Sequence, residues 1–396
     1  MKFDLLYELQ TPKPHDQRSD WRVYKEALEQ IELADRLGFD TVWAVEHHFL
    51  TEFAHSSAPE VFLAAASQRT TRIRIGHGVV LLPSKFNHPI RVAERAAALD
   101  LVSDGRLEFG TGRSSQYEQA GFEIDTEQSR DMWQESLEIV PRMWTEDPFE
   151  FHGRFVNIPS RSIVPKPLQQ PHPPIWMAAT SPQSWEIAGR NGIGILGLTI
   201  FVSVPQLQDR VRAYREALKQ AKPVGKFIND QWLSSTMAFC GWDNSAAREL
   251  AAKSLRTFFG PDRPYLKDQT HLYEQLVASW GGVPEHLTAN FARYLKGEGV
   301  AGAPEVDLSG GSAQIATALW NQIDAETLVD RGVLVAGDPE RCLRSIAIHE
   351  AAGVDELQFL MATETVPHDK VMSSIELFGT HVIPELKKKG ARRDGC

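Results

Sequence analysis

Short apolar runs alternate with amphipathic stretches along the chain. Residues 3–7, with Phe3, Leu5, Leu6 and Tyr7, read as a strand. Tyr24, Ala27, Leu28, Ile31, Ala34 and Leu37 then recur at the spacing of one helix face, and Gly38 stands where a left-handed cap would close it. A strand at 41–45, a helix at 58–68 and a β-rich run at 73–82 follow. Pro89 opens the next helix, where its missing N–H costs nothing, and a strand follows at 106–112. Asp125 and Gln128 predict a capped start for a helix running to about Trp144. His152-Gly153 predicts a two-residue hairpin between 149–151 and 154–157. Strands at 175–179, 194–198, 232–240 and 356–360 are interleaved with helices at 182–190, 204–220, 245–259 and 339–352, and a helix at 369–386 closes the pattern. About eight strands alternating with helices predict a parallel α/β architecture. The length suits a closed (β/α)8 TIM-type barrel better than an open sheet.

The rhythm breaks at 260–328, where residues 297–312 hold five glycines and one proline. This predicts a single domain over 1–396 with a long insertion late in the chain, serving either as a lid or substrate-pocket segment or as a plain insertion. Phe258, Phe259, Tyr265, Tyr273, Trp280, Phe291 and Tyr294 around it suit an apolar or aromatic substrate, and suit an ordinary core equally. The basic stretch 387–393 reads as a solvated end.

Composition narrows the function. Forty-two basic against fifty-two acidic residues, a net charge of −10, argue against nucleic acid or an anionic membrane as main partner. Hydrophobic residues at 42% and charged residues at 24% exclude wholesale disorder. Cys240, Cys342 and Cys396 form no CxxC pair, which fits a reducing compartment and no zinc knuckle. Neither a signal-peptide core nor an apolar run of ~20 residues is present, so the expectation is a cytoplasmic protein without a membrane segment.

A barrel carries its chemistry at the C-terminal ends of its strands. After the second strand comes Glu46-His47-His48, where neighbouring side chains face opposite ways; one histidine reaches the barrel mouth and the other packs or hydrogen-bonds outside. Gly76 and Gly78 flank His77, and Gly110 and Gly112 share a face; such gaps either admit a large flat group or merely ease turns. Arg113 with Ser114 and Ser115 suits a phosphate. The stripe Trp133, Leu137, Val140 and Trp144 extends back to Arg130, whose core-facing guanidinium needs an anion, either a ligand phosphate or a structural carboxylate. In Ala179-Thr180-Ser181-Pro182-Gln183-Ser184, Ser181 caps a helix whose start would face the site, an anion position by geometry and dipole, although plain capping needs only one serine. Together these groups would hold the phosphate of a flavin mononucleotide or related deazaflavin. No GxGxxG follows a strand, so no nicotinamide site is read. A metal-dependent hydrolase would draw on His47, His48, His55, His77 and His88, but a His-x-His pair at a strand end is missing, and no metal site is assigned.

The sequence resembles the bacterial luciferase-like flavin monooxygenases. The resemblance runs through Glu46-His47-His48-Phe49-Leu50-Thr51-Glu52-Phe53, Gly78 to Pro83, His88 to Glu94, Leu99-Asp100, Ser103 to Arg106, Phe109 to Arg113 and Asp125 to Arg130. It resumes at Gly337 to Cys342 and at Leu377-Phe378 to Pro384. It implies a β/α barrel that binds reduced FMN, with Arg113 and Arg130 on the phosphate and Ser181 and Ser184 adding hydroxyls. His47 matches a histidine needed for activity, and Val45, Gly112, Ala179 and Thr180 border the cofactor. The His77–Gly78 bond matches a non-prolyl cis peptide beneath the isoalloxazine. The resemblance further implies a two-component monooxygenase: a separate flavin reductase supplies FMNH2, O2 adds at the flavin C4a carbon to give a hydroperoxide, and a small organic substrate is oxygenated. A homodimer packed through helices early in the barrel is also implied. A deazaflavin (F420)-dependent oxidoreductase on the same fold and a non-catalytic flavin-binding relative are the alternatives. Gly112 replaces a reactive cysteine of the luciferase α subunit and Thr180 a glutamate, so light emission and a long aldehyde substrate are not carried over.

Overall fold

The computed structural model describes residues 1–200, 202, 204–259 and 323–393. The insertion expected at 260–328 lies almost wholly outside these residues. Eight parallel strands close on themselves: β1 (Lys2–Tyr7), β2 (Thr41–Ala44), β3 (Arg74–His77), β5 (Leu107–Gly112), β8 (Ile175–Ala179), β9 (Gly194–Leu198), β10 (Trp232–Cys240) and β12 (Glu356–Leu360), with β12 pairing back to β1. The short β4 (Val80–Leu81) adds to β5, and β11 (Leu334–Gly337) adds to the far end of β10. At nine residues β10 is long enough to serve β9 and β12 with its first half and β11 with its second.

Helices α1 (Ser19–Leu37), α2 (Pro59–Ser67), α3 (Pro89–Val102), α4 (Gln116–Gly121), α5 (Ser129–Thr145), α6 (Pro182–Asn191), α7 (Val204–Leu218) and α8 (Asn244–Phe258) follow the strands. They are completed by α9 (Ala325–Asp330), α10 (Pro339–Ala351), α11 (His368–Leu377) and α12 (Ile383–Arg393), with a π-helical turn at Phe378–Val382 before α12. One large apolar cluster lies between the strands and this outer ring, and a smaller one of Trp43, Val79, Leu81, Trp176, Leu196 and Leu233 fills the barrel. Gly38 closes α1 at φ 93°, its N–H donating to the Ala34 carbonyl. Lys387, in the expected solvated end, lies on α12, with Nζ 3.6 Å from Asp40.

The glycines correct one expectation. Their open faces are occupied by the protein itself: a Cβ on Gly76 would lie 2.3 Å from the Trp43 indole, and one on Gly194 2.6 Å from that of Trp176. The two indoles meet edge to face at 5.6 Å. Each buried N–H is satisfied from inside the barrel, Trp43 donating to Asp4 at 2.9 Å and Trp176 to Glu108 at 2.7 Å. Gly110 admits the His77 carbonyl, and Gly112 faces Val79. These residues are glycine because other protein groups fill the space.

Two local expectations also shift. The hairpin is β6 (Phe149–His152) with β7 (Asn157–Arg161), and four residues, not two, connect them. The Glu135 carboxylate organises this longer loop, accepting the backbone N–H groups of Arg154, Phe155 and Val156 at 2.7, 3.0 and 2.8 Å. Helix α5 starts at Ser129 because Asp125 spends its carboxylate on the preceding turn, accepting from the Glu127 N–H and the Gln128 amide. Among the described residues, no helix is long and apolar enough to cross a membrane.

Candidate active site

The C-terminal ends of β1, β2, β5 and β8 carry most of the residues singled out from sequence. Glu46 is buried and fixes the turn after β2: one carboxylate oxygen accepts the Leu81 N–H at 2.7 Å, and the other accepts the Asn87 amide at 2.8 Å. His48 packs among Phe49, Phe86 and Phe122, with Nε2 3.2 Å from Glu46. His47 takes another course. Its Nδ1 lies 3.0 Å from Glu118, its Nε2 lies 4.0 Å from Glu8, and the edge of its ring meets Phe53. About a quarter of its side chain remains exposed (25%), so it keeps access to the mouth.

Glu118 is the better-held partner. It accepts from His47, from the His48 N–H at 2.8 Å, from the Ser115 hydroxyl at 2.9 Å and from the Ser114 hydroxyl. Ser115 in turn caps α4, completing a reciprocal capping box with Glu118. This corrects the expectation that Ser114 and Ser115 are free to cradle a phosphate: both hydroxyls serve Glu118. Burial pushes the Glu118 carboxyl up, but the His47 charge and hydrogen bond, then Ser114 and the His48 N–H, pull it down to about 2. Burial pushes the His47 imidazole down; the Glu118 carboxylate, then Glu8 and Glu46, outweigh that and raise it to about 9. Burial pushes Glu8 up to about 7, with His47 lowering it and Glu118 raising it.

Arg113 leaves the end of β5 and donates to the Ser129 hydroxyl at 2.9 Å, which ties it to the first turn of α5. Burial, and then the charge of neighbouring Arg130, lower its guanidinium to about 10. Neither arginine has a carboxylate partner among the described residues, and Arg130 Nη1 is buried without any hydrogen bond. Two adjacent, partly desolvated cations are unfavourable unless an anion joins them.

The next group lies on the strand that pairs with β5: Thr111 pairs with Met177 of β8, two residues before Ala179 and four before Ser181. Ser181 caps α6 by accepting the Ser184 N–H, and the two hydroxyls lie 2.9 Å apart. Ala179 is buried, whereas Thr180 is exposed with its carbonyl held by Arg210 at 3.2 Å. Val45 is buried where β2 ends, its N–H donating to Tyr7.

His77 and Gly78 require a correction. The bond between them is trans, and the cis bonds among the described residues all precede proline. The trans geometry lets the Gly78 N–H reach the Ala44 carbonyl at 2.8 Å and extend the β2–β3 ladder. The buried His77 ring meets Phe109, and its neighbouring charges are Glu60 on α2 and Arg95 on α3. It therefore sits on the helix side of the wall. Burial lowers it to about 4, which keeps it neutral.

Sequence reasoning passed over Glu8 and Glu118. Ser115-Gln116-Tyr117-Glu118 carries the capping-box signal, and Glu8 follows directly on a barrel strand, so both signals were available. Among the described residues, no cluster of three histidine, cysteine, aspartate or glutamate side chains could hold a metal ion.

The sequence model of the luciferase-like monooxygenases matches residues 1–356. The chain is 28% identical over 281 residues to the oxygenase component of a flavin-dependent trigonelline monooxygenase of Acinetobacter baylyi, covering 70% of this chain and 75% of that one. It is 26% identical to the alkanal monooxygenase alpha chain of Photorhabdus luminescens across 98% of both chains. Its fold superposes on a crystal structure of a monooxygenase from Streptomyces bottropensis with TM-score 0.73 and 26% identity, covering 98% of this chain and 100% of that one.

Proposed function

The chain belongs to the luciferase-like monooxygenase family and is an oxidoreductase, and from that premise we propose that it is an oxygenase component taking reduced FMN from a separate flavin reductase and using O2 to oxygenate a small organic substrate. The observation that carries the cofactor assignment is the Arg113–Arg130 pair, held together without a carboxylate and with one buried, unpartnered N–H donor. A phosphate dianion answers both the charge and the missing acceptor. Ser181 and Ser184, at the start of α6 on the neighbouring strand, would add hydroxyls to the same group. Val45, the Gly78 backbone, Gly112, Ala179 and Thr180 would border the rest of the cofactor; His77 would contribute main chain only.

Reduced FMN, when bound, supplies the electron pair that splits O2, one oxygen atom entering the substrate and the other leaving as water. His47 holds a proton at the barrel mouth with its Nδ1 side fixed on Glu118. Phe53 packs on His47 and on Phe258 at 4.5 Å, an apolar wall that keeps water from this side of the site and suits an apolar or aromatic substrate. A reducing, cytoplasmic setting suits the buried free thiols of Cys240 and Cys342. The same reading makes the protein a homodimer packed through α2 and α3, where Val61, Leu101 and Val102 are exposed; sedimentation velocity should return a dimer.

Turnover with an added flavin reductase under 18O2, across a panel of apolar and aromatic compounds, should place labelled oxygen in a product. Selective binding of a deazaflavin, with hydride transfer that proceeds without oxygen, would contradict the proposal.

A further inference from the structure

His47 sits between two carboxyl groups that are held very differently. On the Nδ1 side, Glu118 has every role filled, accepting from two serine hydroxyls and a backbone N–H besides the imidazole. On the Nε2 side, Glu8 Oε2 is buried and makes no hydrogen bond at all. The gap of 4.0 Å between them is too wide for a standing hydrogen bond yet short enough to close with a small side-chain shift. An orphaned carboxylate oxygen is costly to bury, and its placement against the one ring nitrogen that Glu118 leaves free asks for a reason.

We propose that Glu8, His47 and Glu118 form a proton-relay triad, in which Glu118 positions the imidazole through Nδ1 and Glu8 exchanges a proton with Nε2. The use of this triad in catalysis rests on the oxygenase reading above; its existence does not. When the Nε2–H bond breaks and the proton passes to an acceptor in the barrel mouth, the Glu8 O–H bond breaks and a new Nε2–H bond forms. Glu8 is left as a carboxylate and takes its next proton from water. No electrons change hands.

The charged groups facing His47 are Glu118 from α4, Glu8 from the end of β1 and Glu46 from its own segment; those facing Glu8 are His47 and Glu118. Three carboxyls and one imidazole in a buried cluster favour a charged His47, and the least stabilised carboxyl carries the exchangeable proton. That carboxyl is Glu8, which burial holds up at about 7 while Glu118 stays ionised down to about 2. Glu8 and Glu118 are positioning and relay residues that act through His47.

The test is a carbon-13 NMR titration of the full-length protein with labelled histidine, in the wild type and in Glu8→Gln, Glu8→Asp and Glu118→Gln. The His47 signal should titrate near 9 and report a second inflection near 7 from Glu8. Glu8→Gln should erase the lower inflection, and Glu8→Asp should restore one. Glu118→Gln should lower the His47 midpoint by about one to two pH units. Persistence of the lower inflection in Glu8→Gln, or a wild-type midpoint in folded Glu118→Gln, would overturn the triad. Glu118 also closes the α4 capping box, so its variant could unfold that turn; Glu8→Gln removes no hydrogen bond at Oε2 and carries the test independently. The titration needs no flavin. Oxygen-dependent turnover measured against pH then reads the other half: its inflection near 7 should vanish in Glu8→Gln. An intact NMR triad without any oxygen-dependent turnover would strike the oxygenase reading and leave the triad standing.

Discussion

Asp4 shows how much a single buried group decides. It is fully buried inside the barrel, where it accepts the Trp43 indole N–H while its other oxygen has no partner. Burial, and then the nearby Glu356 carboxylate, push its carboxyl well above the usual aspartate range, although the Trp43 hydrogen bond works against this. The folded state therefore binds a proton that the unfolded state releases near pH 4. The stability linked to that proton is fully present below the unfolded value and is lost as pH rises toward the folded one. Asp4→Asn keeps an acceptor for Trp43 and needs no proton. Its melting temperature relative to the wild type should be higher at pH 8 than at pH 5; a gain that is equal at both would show that Asp4 is ionised in the fold. Arg130 was legible at this scale, since a guanidinium on a stripe of Trp133, Leu137, Val140 and Trp144 is conspicuous in sequence. Glu8 and Glu118 carried sequence signals, a strand end and a capping box, but a glutamate in either place looks like any solvated or capping glutamate until burial and a facing histidine give it a role.

Alternation of apolar runs and helical faces placed the barrel strands closely. The strands at 175–179, 194–198, 232–240 and 356–360 stand where the pattern put them. Short and buried features were harder to read. Helix α4 has six residues, too few for a helical period to declare itself, and only its capping box marks it. Glycine gave the least, because the same residue type serves opposite needs. Gly110 is glycine for space: a Cβ would meet the His77 carbonyl at 2.0 Å, a backbone atom that has no rotamer with which to yield. Gly38 is glycine for conformation, with φ +93° and nothing within 4 Å of a Cβ. Gly38→Ala should lower stability by about 1 kcal/mol through backbone strain alone. Gly110→Ala should cost about 3 kcal/mol or more by forcing the β3 and β5 ends apart. Denaturant midpoints would check the order; a milder effect at Gly110 would mean that the barrel end relaxes freely.

Across the whole molecule a net charge of −10 surrounds a local concentration of positive charge where the end of β5 meets α5. Closing the sheet sets β8 beside β5, and the hydrogen bond from Arg113 to Ser129 ties the end of β5 to α5, so residues 113 and 130, distant in sequence, come close. The sequence pattern showed the barrel and these residues one by one; which strand ends adjoin depends on strand order, which periodicity does not encode. The same closure leaves the barrel interior to Trp43 and Trp176, and the proposed cofactor would therefore lie at the mouth with its phosphate on the arginines. The direct measurement is anaerobic binding of reduced FMN against reduced riboflavin, which lacks the phosphate, in the wild type and in Arg130→Ala. The wild type should prefer FMN by roughly 10- to 100-fold, the worth of charge-assisted hydrogen bonds to one group, and Arg130→Ala should lose most of that preference while binding riboflavin as before. Equal affinity of the wild type for the two flavins would contradict the account.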